Sequence, residues 1–181
     1  MKDTRSIVSA LAAYRQFIER IDTICGQIAA RAAAAITCHE GCDACCEAIG
    51  VFPVEAVYIA LHLCPDQPPD PDRIRSNSGL AARGPDTHCP FLENHRCRIY
   101  PVRPLICRTQ GMAFLVEEAG ERRLIHCPRN FQGMTRFPAE MLIDLDKMNA
   151  SLIRINQAFL QEMGEAFHVP ERVPLSALRF R

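Results

Sequence analysis

The sequence has no surplus charge of either sign. Its 21 Lys and Arg balance 21 Asp and Glu, so no global field draws in nucleic acid or anionic lipid. No apolar run approaches the roughly 18 residues a membrane span needs. The opening Met-Lys-Asp-Thr-Arg runs into an amphipathic pattern carrying Arg15, Glu19, Arg20 and Asp22, which is no signal-peptide core. There is no phosphate-binding P-loop, no G-x-S-x-G elbow and no dinucleotide fingerprint. Internal repeats are missing too, as are low-complexity tracts other than a short alanine-rich one. These absences predict a cytoplasmic protein with neither nucleic acid nor a membrane as partner. At 181 residues, with 48% hydrophobic and 23% charged, the chain is expected to form a single domain, 1–181, that buries its own core.

What is abundant is cysteine, at ten residues. Cys38, Cys42, Cys45 and Cys46 fall within Cys-His-Glu-Gly-Cys-Asp-Ala-Cys-Cys; Cys89, Cys97 and Cys107 form a second cluster, and Cys127 follows. Thiolates this dense repel one another unless cations or disulfides hold them. In a reducing compartment, and in a chain long enough to do without staples, metal is the better reading. Cys25 lies on an apolar helical stripe and reads instead as a small buried hydrophobe.

The periodicity predicts a mainly α fold. Val8, Leu11, Tyr14, Phe17, Ile18, Ile21, Cys25 and Ile28 recur at helical spacing, and alanines extend the stripe, giving a helix over 4–35. Met141, Leu142, Leu145, Met148, Leu152, Ile155, Phe159 and Met163 predict a second long helix over 139–164, ended by Gly164. These two are expected to pack antiparallel as the scaffold of an irregular, cysteine-rich lobe at 36–130. Within that lobe, 51–61 reads as a short helix with Pro53 in its first turn and Glu55 suited to its dipole. Prolines 65–71 read as a linker, 72–82 as a short helix stopped by Gly84-Pro85, and 86–111 as a proline-punctuated loop. The segments 112–117 and 122–127 read as a hairpin, and the tail, 165–181, as irregular.

Cys-x3-Cys-x2-Cys suits a zinc knuckle or an iron–sulfur cluster. The adjacent pair Cys45-Cys46 narrows the choice. Neighbouring side chains project in different directions, so the pair more naturally touches two metal centres or two irons of one cluster, or leaves one sulfur as a spectator. Adding Cys89, Cys97, Cys107 and Cys127 gives eight candidate sulfurs, enough for two four-thiolate centres or one multi-metal cluster. His39, His88, His95 and His126 sit beside cysteines and read as hydrogen-bonding or solvated neighbours before ligands. Three thiolates at this spacing also occur in radical-SAM enzymes, but the chain lacks alternating βα units and the roughly 200–250 residues of such a barrel.

The run Cys38-His-Glu-Gly-Cys-Asp-Ala-Cys-Cys46, then Cys89-Pro-Phe-Leu-Glu, then Cys97-Arg-Ile-Tyr-Pro-Val-Arg-Pro-Leu-Ile-Cys-Arg108, resembles the CxxCxxCC-type zinc- or iron-chelating domain family (YkgJ-like cysteine-cluster proteins). The likeness covers roughly 36–130 and neither terminal helix. This chain has three residues between Cys38 and Cys42 where the family pattern has two. The resemblance implies metal binding through the matching cysteines, often as an iron–sulfur centre. It implies no settled reaction, and the related domain in flagellin lysine methylases implies an accessory role beside an enzyme. Within this motif Arg103 and Arg108 are expected to face the cofactor, lowering the desolvation cost of its negative charge. Arg96 and Arg98 read equally well as a solvated basic loop.

Three functions follow as expectations. The first is an iron–sulfur protein, 4Fe–4S or another multi-iron centre, serving electron transfer or a redox or enzyme partner. The second is a binding module folded by structural zinc, and the third a metalloenzyme with an open metal position. Zinc sites usually show two separated Cys-x2-Cys knuckles. The irregular spacing here favours a polynuclear iron centre.

Overall fold

The computed structural model describes residues 4–67, 69–81, 88–165 and 167–178. The fold is mainly α, with small sheets between the helices. Helices α1 (Thr4–Ala10) and α2 (Ala12–Arg31) are separated by one residue of turn at Leu11. The hydrogen-bond ladder crosses it, from Leu11 N–H to Ile7 O and from Arg15 N–H to Leu11 O. The predicted helix over 4–35 therefore ends early, at Arg31. Its alanine extension tightens into turns because Ala32 packs with Phe131 and Met141, while the Phe131 N–H takes the Ala35 carbonyl at 2.7 Å. Tertiary contacts outweigh alanine's propensity there.

Beyond the first cysteine run, β1 (Gly50–Val51) leads into α3 (Pro53–Leu63), with Pro53 in the first turn as expected. Helix α4 (Pro71–Ala81) matches the short helix expected over 72–82; the Gly84-Pro85 stop lies outside the described residues. The loop expected over 86–111 is more regular than its prolines implied. It contains a hairpin of β2 (Leu92–Glu93) and β3 (Arg96–Cys97), a 3-10 turn at Tyr100–Val102 and α5 (Leu105–Thr109). Asn94 and His95 form the hairpin's two-residue loop, both at positive φ (48° and 62°), the backbone twist that two-residue hairpins favour.

The expected hairpin is β4 (Ala113–Glu118) and β5 (Glu121–His126), paired antiparallel. The second long helix starts later than 139. Ala139–Met141 forms a 3-10 turn, β6 (Leu142–Asp144) adds to β4 in parallel, and only then does α6 (Leu145–Met163) begin. Alternating burial of Met141 and Ile143 satisfies a strand period, and Asp144 caps the helix by accepting from Lys147 N–H. Gly164 closes α6 at φ 79°. The tail expected to be irregular is ordered: β7 (Val173–Pro174) pairs with β1, and a 3-10 turn at Leu175–Leu178 follows. Burial explains it, since Val173, Leu175 and Leu178 are core residues.

The main core packs Leu11, Tyr14, Ile18, Ile21, Cys25 and Ile28 of the N-terminal stripe against α3, Leu105 and the α6 stripe. A second cluster joins α3, α4 and the tail to Phe91, Ile99 and Val102, with Cys89 and Cys97 packed against it. Cys89 and Cys97 thus rest on an apolar core. Among the described residues, no helix is long and apolar enough to cross a membrane.

Candidate metal centre

Backbone pairing brings the cysteine loops together. The Glu47 segment runs antiparallel to His88, and the Cys89 N–H donates to Cys46 O at 3.1 Å, so these two cysteines share one edge. Pairing of Leu92 with Cys97 brings in the third, and helix α5 presents Cys107. On the other side, the turn after β5 carries Cys127 and then Asn130, whose side chain reaches back to Thr37 and Cys38. The tip of the β2–β3 hairpin is tied to the first cysteine run by a hydrogen bond between His95 Nδ1 and Asp43 at 2.8 Å and an ion pair between Arg96 and Glu40 at 2.9 Å. The His95 hydrogen bond holds the Asp43 carboxyl below its usual range. These acids fasten the hairpin tip to the first cysteine run.

All ten cysteines are free thiols. Burial pushes the Cys45 thiol up, and the charges of Cys38, Cys42 and Cys127 add to it. Burial pushes Cys107 up to about 12, with Cys89, Cys97, Cys46 and then Cys45 adding. Cys46 rises to about 11, through burial first and then Cys45, Cys89 and Cys97. Burial also raises Cys97, helped by Cys89 and opposed by Arg103. Cys38, Cys42 and Cys127 lie near Cys45, and Cys46, Cys89 and Cys97 near Cys107, while the charge of Cys45 acts on both Cys46 and Cys107.

Among the described residues, no three His, Cys, Asp or Glu side chains are arranged to hold an ion as they stand. Neutral thiols do not attract one another, and drawing them to bonding distance is the work of ligation, which also displaces their protons. The donor chemistry fits a thiophilic metal: eight cysteine sulfurs on loops that pair with one another are the donor type of zinc and iron–sulfur centres.

The histidines have other partners. His39 Nδ1 lies 2.9 Å from Thr37 O, and His126 Nδ1 2.9 Å from Cys127 O, with the His126 ring stacked on Phe137. Arg103 bonds Tyr100 O at 2.9 Å and sits 4.0 Å over the Tyr100 ring, close enough for its charge to act on Cys97. Arg108 is buried. Its guanidinium bonds Asp22 at 2.6 Å and Pro101 O at 2.8 Å, so its hydrogen bonds tie the Cys107 helix to α2 rather than reaching a sulfur. Cys25 is 8% exposed in the main core, as its stripe position implied.

Two residues that matter here carried no sequence signal as site residues. Asn130 is fully buried and donates from Nδ2 to Cys38 Sγ at 3.3 Å and to Gly111 O at 2.8 Å. Gly111 has φ 90°, and a Cβ there would lie 2.9 Å from Cys38 Sγ. Gly111→Ala is therefore expected to destabilise the fold by roughly 1–3 kcal/mol through strained backbone and a displaced sulfur. Its metal loss should be confined to Cys38 and the sulfurs near it, as elemental analysis beside a thermal melt will report; intact metal there would refute the contact.

A groove of about 780 Å³ opens beside Cys127, with Phe52, Leu105, Met112, Phe114 and Met148 among its walls. Its size suits a small organic molecule.

Comparison with known proteins adds one finding. Residues 37–128, just over half of the chain, match the model of the CxxCxxCC zinc- or iron-chelating domain. No curated protein and no solved structure matches the chain. With the cysteines of that match assembled from distant segments, and with donors suited to zinc or iron, the chain belongs to the CxxCxxCC family of zinc- or iron-chelating domains.

Proposed function

We propose that the protein holds iron in two four-thiolate centres, one on Cys38, Cys42, Cys45 and Cys127 and the other on Cys46, Cys89, Cys97 and Cys107. What supports this reading is the company each sulfur keeps: Cys38, Cys42 and Cys127 act on Cys45, whereas Cys46 also feels Cys89 and Cys97 and its carbonyl accepts from Cys89 N–H at 3.1 Å. Two centres side by side suit electron transfer, or an accessory role beside a redox or enzyme partner in the cytoplasm. The reading includes a single domain in which α2 and α6 run antiparallel, since both bury their stripes in one core. Such a centre would supply one-electron chemistry. The chain's own residues hold the sulfurs in place: the Glu47–His88 bridge, the β2–β3 hairpin and the Asp43–His95 pair fix the loops. Arg103, near Cys97, offsets negative charge on the second set.

Protein purified without oxygen is expected to be brown, to absorb near the violet edge of the visible spectrum and to contain iron and acid-labile sulfide. Colourless protein with stoichiometric zinc under the same conditions would refute the iron assignment and leave a structural zinc module. A second reading, a metal centre acting on a bound molecule, is favoured by one feature, the groove beside Cys127.

A further inference from the structure

At the end of the family match, the loop Cys127-Pro-Arg-Asn130 delivers more than its sulfur. Arg129 Nη1 points at Cys42 Sγ at 3.6 Å, and Asn130 Nδ2 at Cys38 Sγ at 3.3 Å. Two consecutive side chains therefore place N–H groups on two sulfurs of the same set. The orientation of the Asn130 amide is fixed by its neighbours. Oδ1 accepts from the Thr37 backbone N–H at 2.9 Å and from Thr37 Oγ1 at 3.1 Å, while Nδ2 donates to the Gly111 carbonyl at 2.8 Å. A backbone N–H only donates and a carbonyl only accepts, so turning the amide over would put donor against donor and acceptor against acceptor. The NH2 group must face Cys38. A protonated Cys38 also donates to Oδ1 at 3.8 Å. Ligation removes that weak contact and leaves the amide fully bonded.

The loop is held rigidly enough for this to matter. Phe131 sits at φ 57° and is buried among Ala32, Ala113 and Met141. Its N–H donates to Ala35 O at 2.7 Å, and the Asn130 N–H returns to Cys127 O at 3.0 Å. A bulky residue keeps left-handed backbone only where its surroundings over-determine it. Hydrogen bonds to ligand sulfur withdraw electron density from the metal–sulfur bond, and residues behind the ligands tune both affinity and potential.

We propose that Asn130 and Arg129 are positioning residues for the metal centre on Cys38, Cys42, Cys45 and Cys127, acting through N–H···S bonds that orient two thiolates and lower their electron-donating power. This rests on the metal-centre reading above. Both residues act on one set, so the second set serves as an internal reference.

The test uses the full chain loaded with cobalt(II), whose sulfur-to-metal charge-transfer bands report thiolate donor strength whether the native metal is iron or zinc. Arg129→Met, on an exposed side chain, is expected to fold normally, to move a charge-transfer band to longer wavelength and to weaken cobalt binding at one set by about tenfold. Arg129→Lys, which keeps a donor, should recover most of the band position. Asn130→Ala should shift the band in the same direction, with a larger loss of affinity. A merely structural role would lower the melting temperature and leave the band where it is. Unshifted bands in folded Arg129→Met and Asn130→Ala would overturn the proposal; if Asn130→Ala does not fold, an unshifted Arg129→Met does so alone. A wild-type chain that takes up no cobalt, zinc or iron would fail differently, by removing the metal centre itself.

Discussion

Cys45→Ser is expected to empty one four-sulfur set and leave the other loaded, and Cys107→Ser to do the reverse. On the two-centre reading proposed above, the sets meet at adjacent residues, Cys45 and Cys46, yet draw their remaining sulfurs from different parts of the chain. Structural metal sites of this type contribute on the order of 10 kcal/mol of folding free energy. That is comparable to the entire net stability of an ordinary domain. Each variant should therefore lose the cooperative unfolding of the loops its set holds. Those are the Thr37 and Cys127 turns for Cys45→Ser, and the β2–β3 hairpin with α5 for Cys107→Ser. Metal per chain by elemental analysis, combined with limited proteolysis mapped by mass spectrometry, checks both halves. Full metal content and an unchanged melting temperature in both variants would defeat the ligand assignment. Loss of all metal in either variant would replace two centres by one shared cluster.

Glu55→Ala is expected to destabilise the fold by about 3–5 kcal/mol, because it orphans two buried backbone donors at about 1–3 kcal/mol each and leaves a void. Glu55 is 3% exposed and accepts from Phe52 N–H at 2.9 Å and from Leu105 N–H at 2.8 Å. Phe52 offers no acceptor in return, so this is half of a capping box, and its second oxygen serves the start of α5 two residues before Cys107. The neighbouring Val54 N–H is satisfied by Asn156 of α6 at 3.1 Å. Glu55 thus joins the scaffold to the helix that carries Cys107, and its loss should loosen Cys107 before Cys38. The Tyr14 hydroxyl lies beside Glu55 and Arg108 without a well-formed hydrogen bond to either.

Burial pushes the Glu55 carboxyl up, against the two N–H groups and Arg172 that favour its charge. The folded state then binds the proton more tightly than the unfolded chain. The associated stability is complete below the ordinary value of 4.5 and falls as pH rises through the folded value. Chemical denaturation of wild type against Glu55→Gln over that range should show the wild-type advantage shrinking with pH. A growing advantage would show that the two N–H donors outweigh burial.

Much of the scaffold was legible because local pattern and tertiary burial agree there. The stripe from Leu11 to Ile28 and the α6 stripe from Met148 to Met163 each face one core, so helical periodicity alone located them. The β4–β5 hairpin announced itself through Ala119-Gly120 between two alternating runs. Where two periods fit the same residues, the reading failed. Met141 and Leu142 belong to a turn and a strand because β4 offers a parallel edge to pair with, which no local pattern reveals. The tail was misread for a related reason: Val173, Leu175 and Leu178 are too few and too interrupted to show a period, yet they fill the second core.

The cysteines themselves declared the chemistry, since thiols at that density and spacing match a zinc- or iron-chelating domain. Sequence alone thus determined the long helices, the central hairpin, the candidate donors and the family to which they belong. Only the tertiary structure decided which cysteine loops pair, that Arg108 serves Asp22, and that Asn130, Gly111 and Glu55 stand behind the cysteine loops. The physical reason is range: periodicity and spacing record what neighbours along the chain must do, whereas a contact between residues 38 and 130, or 55 and 105, exists only once packing has closed the loop between them.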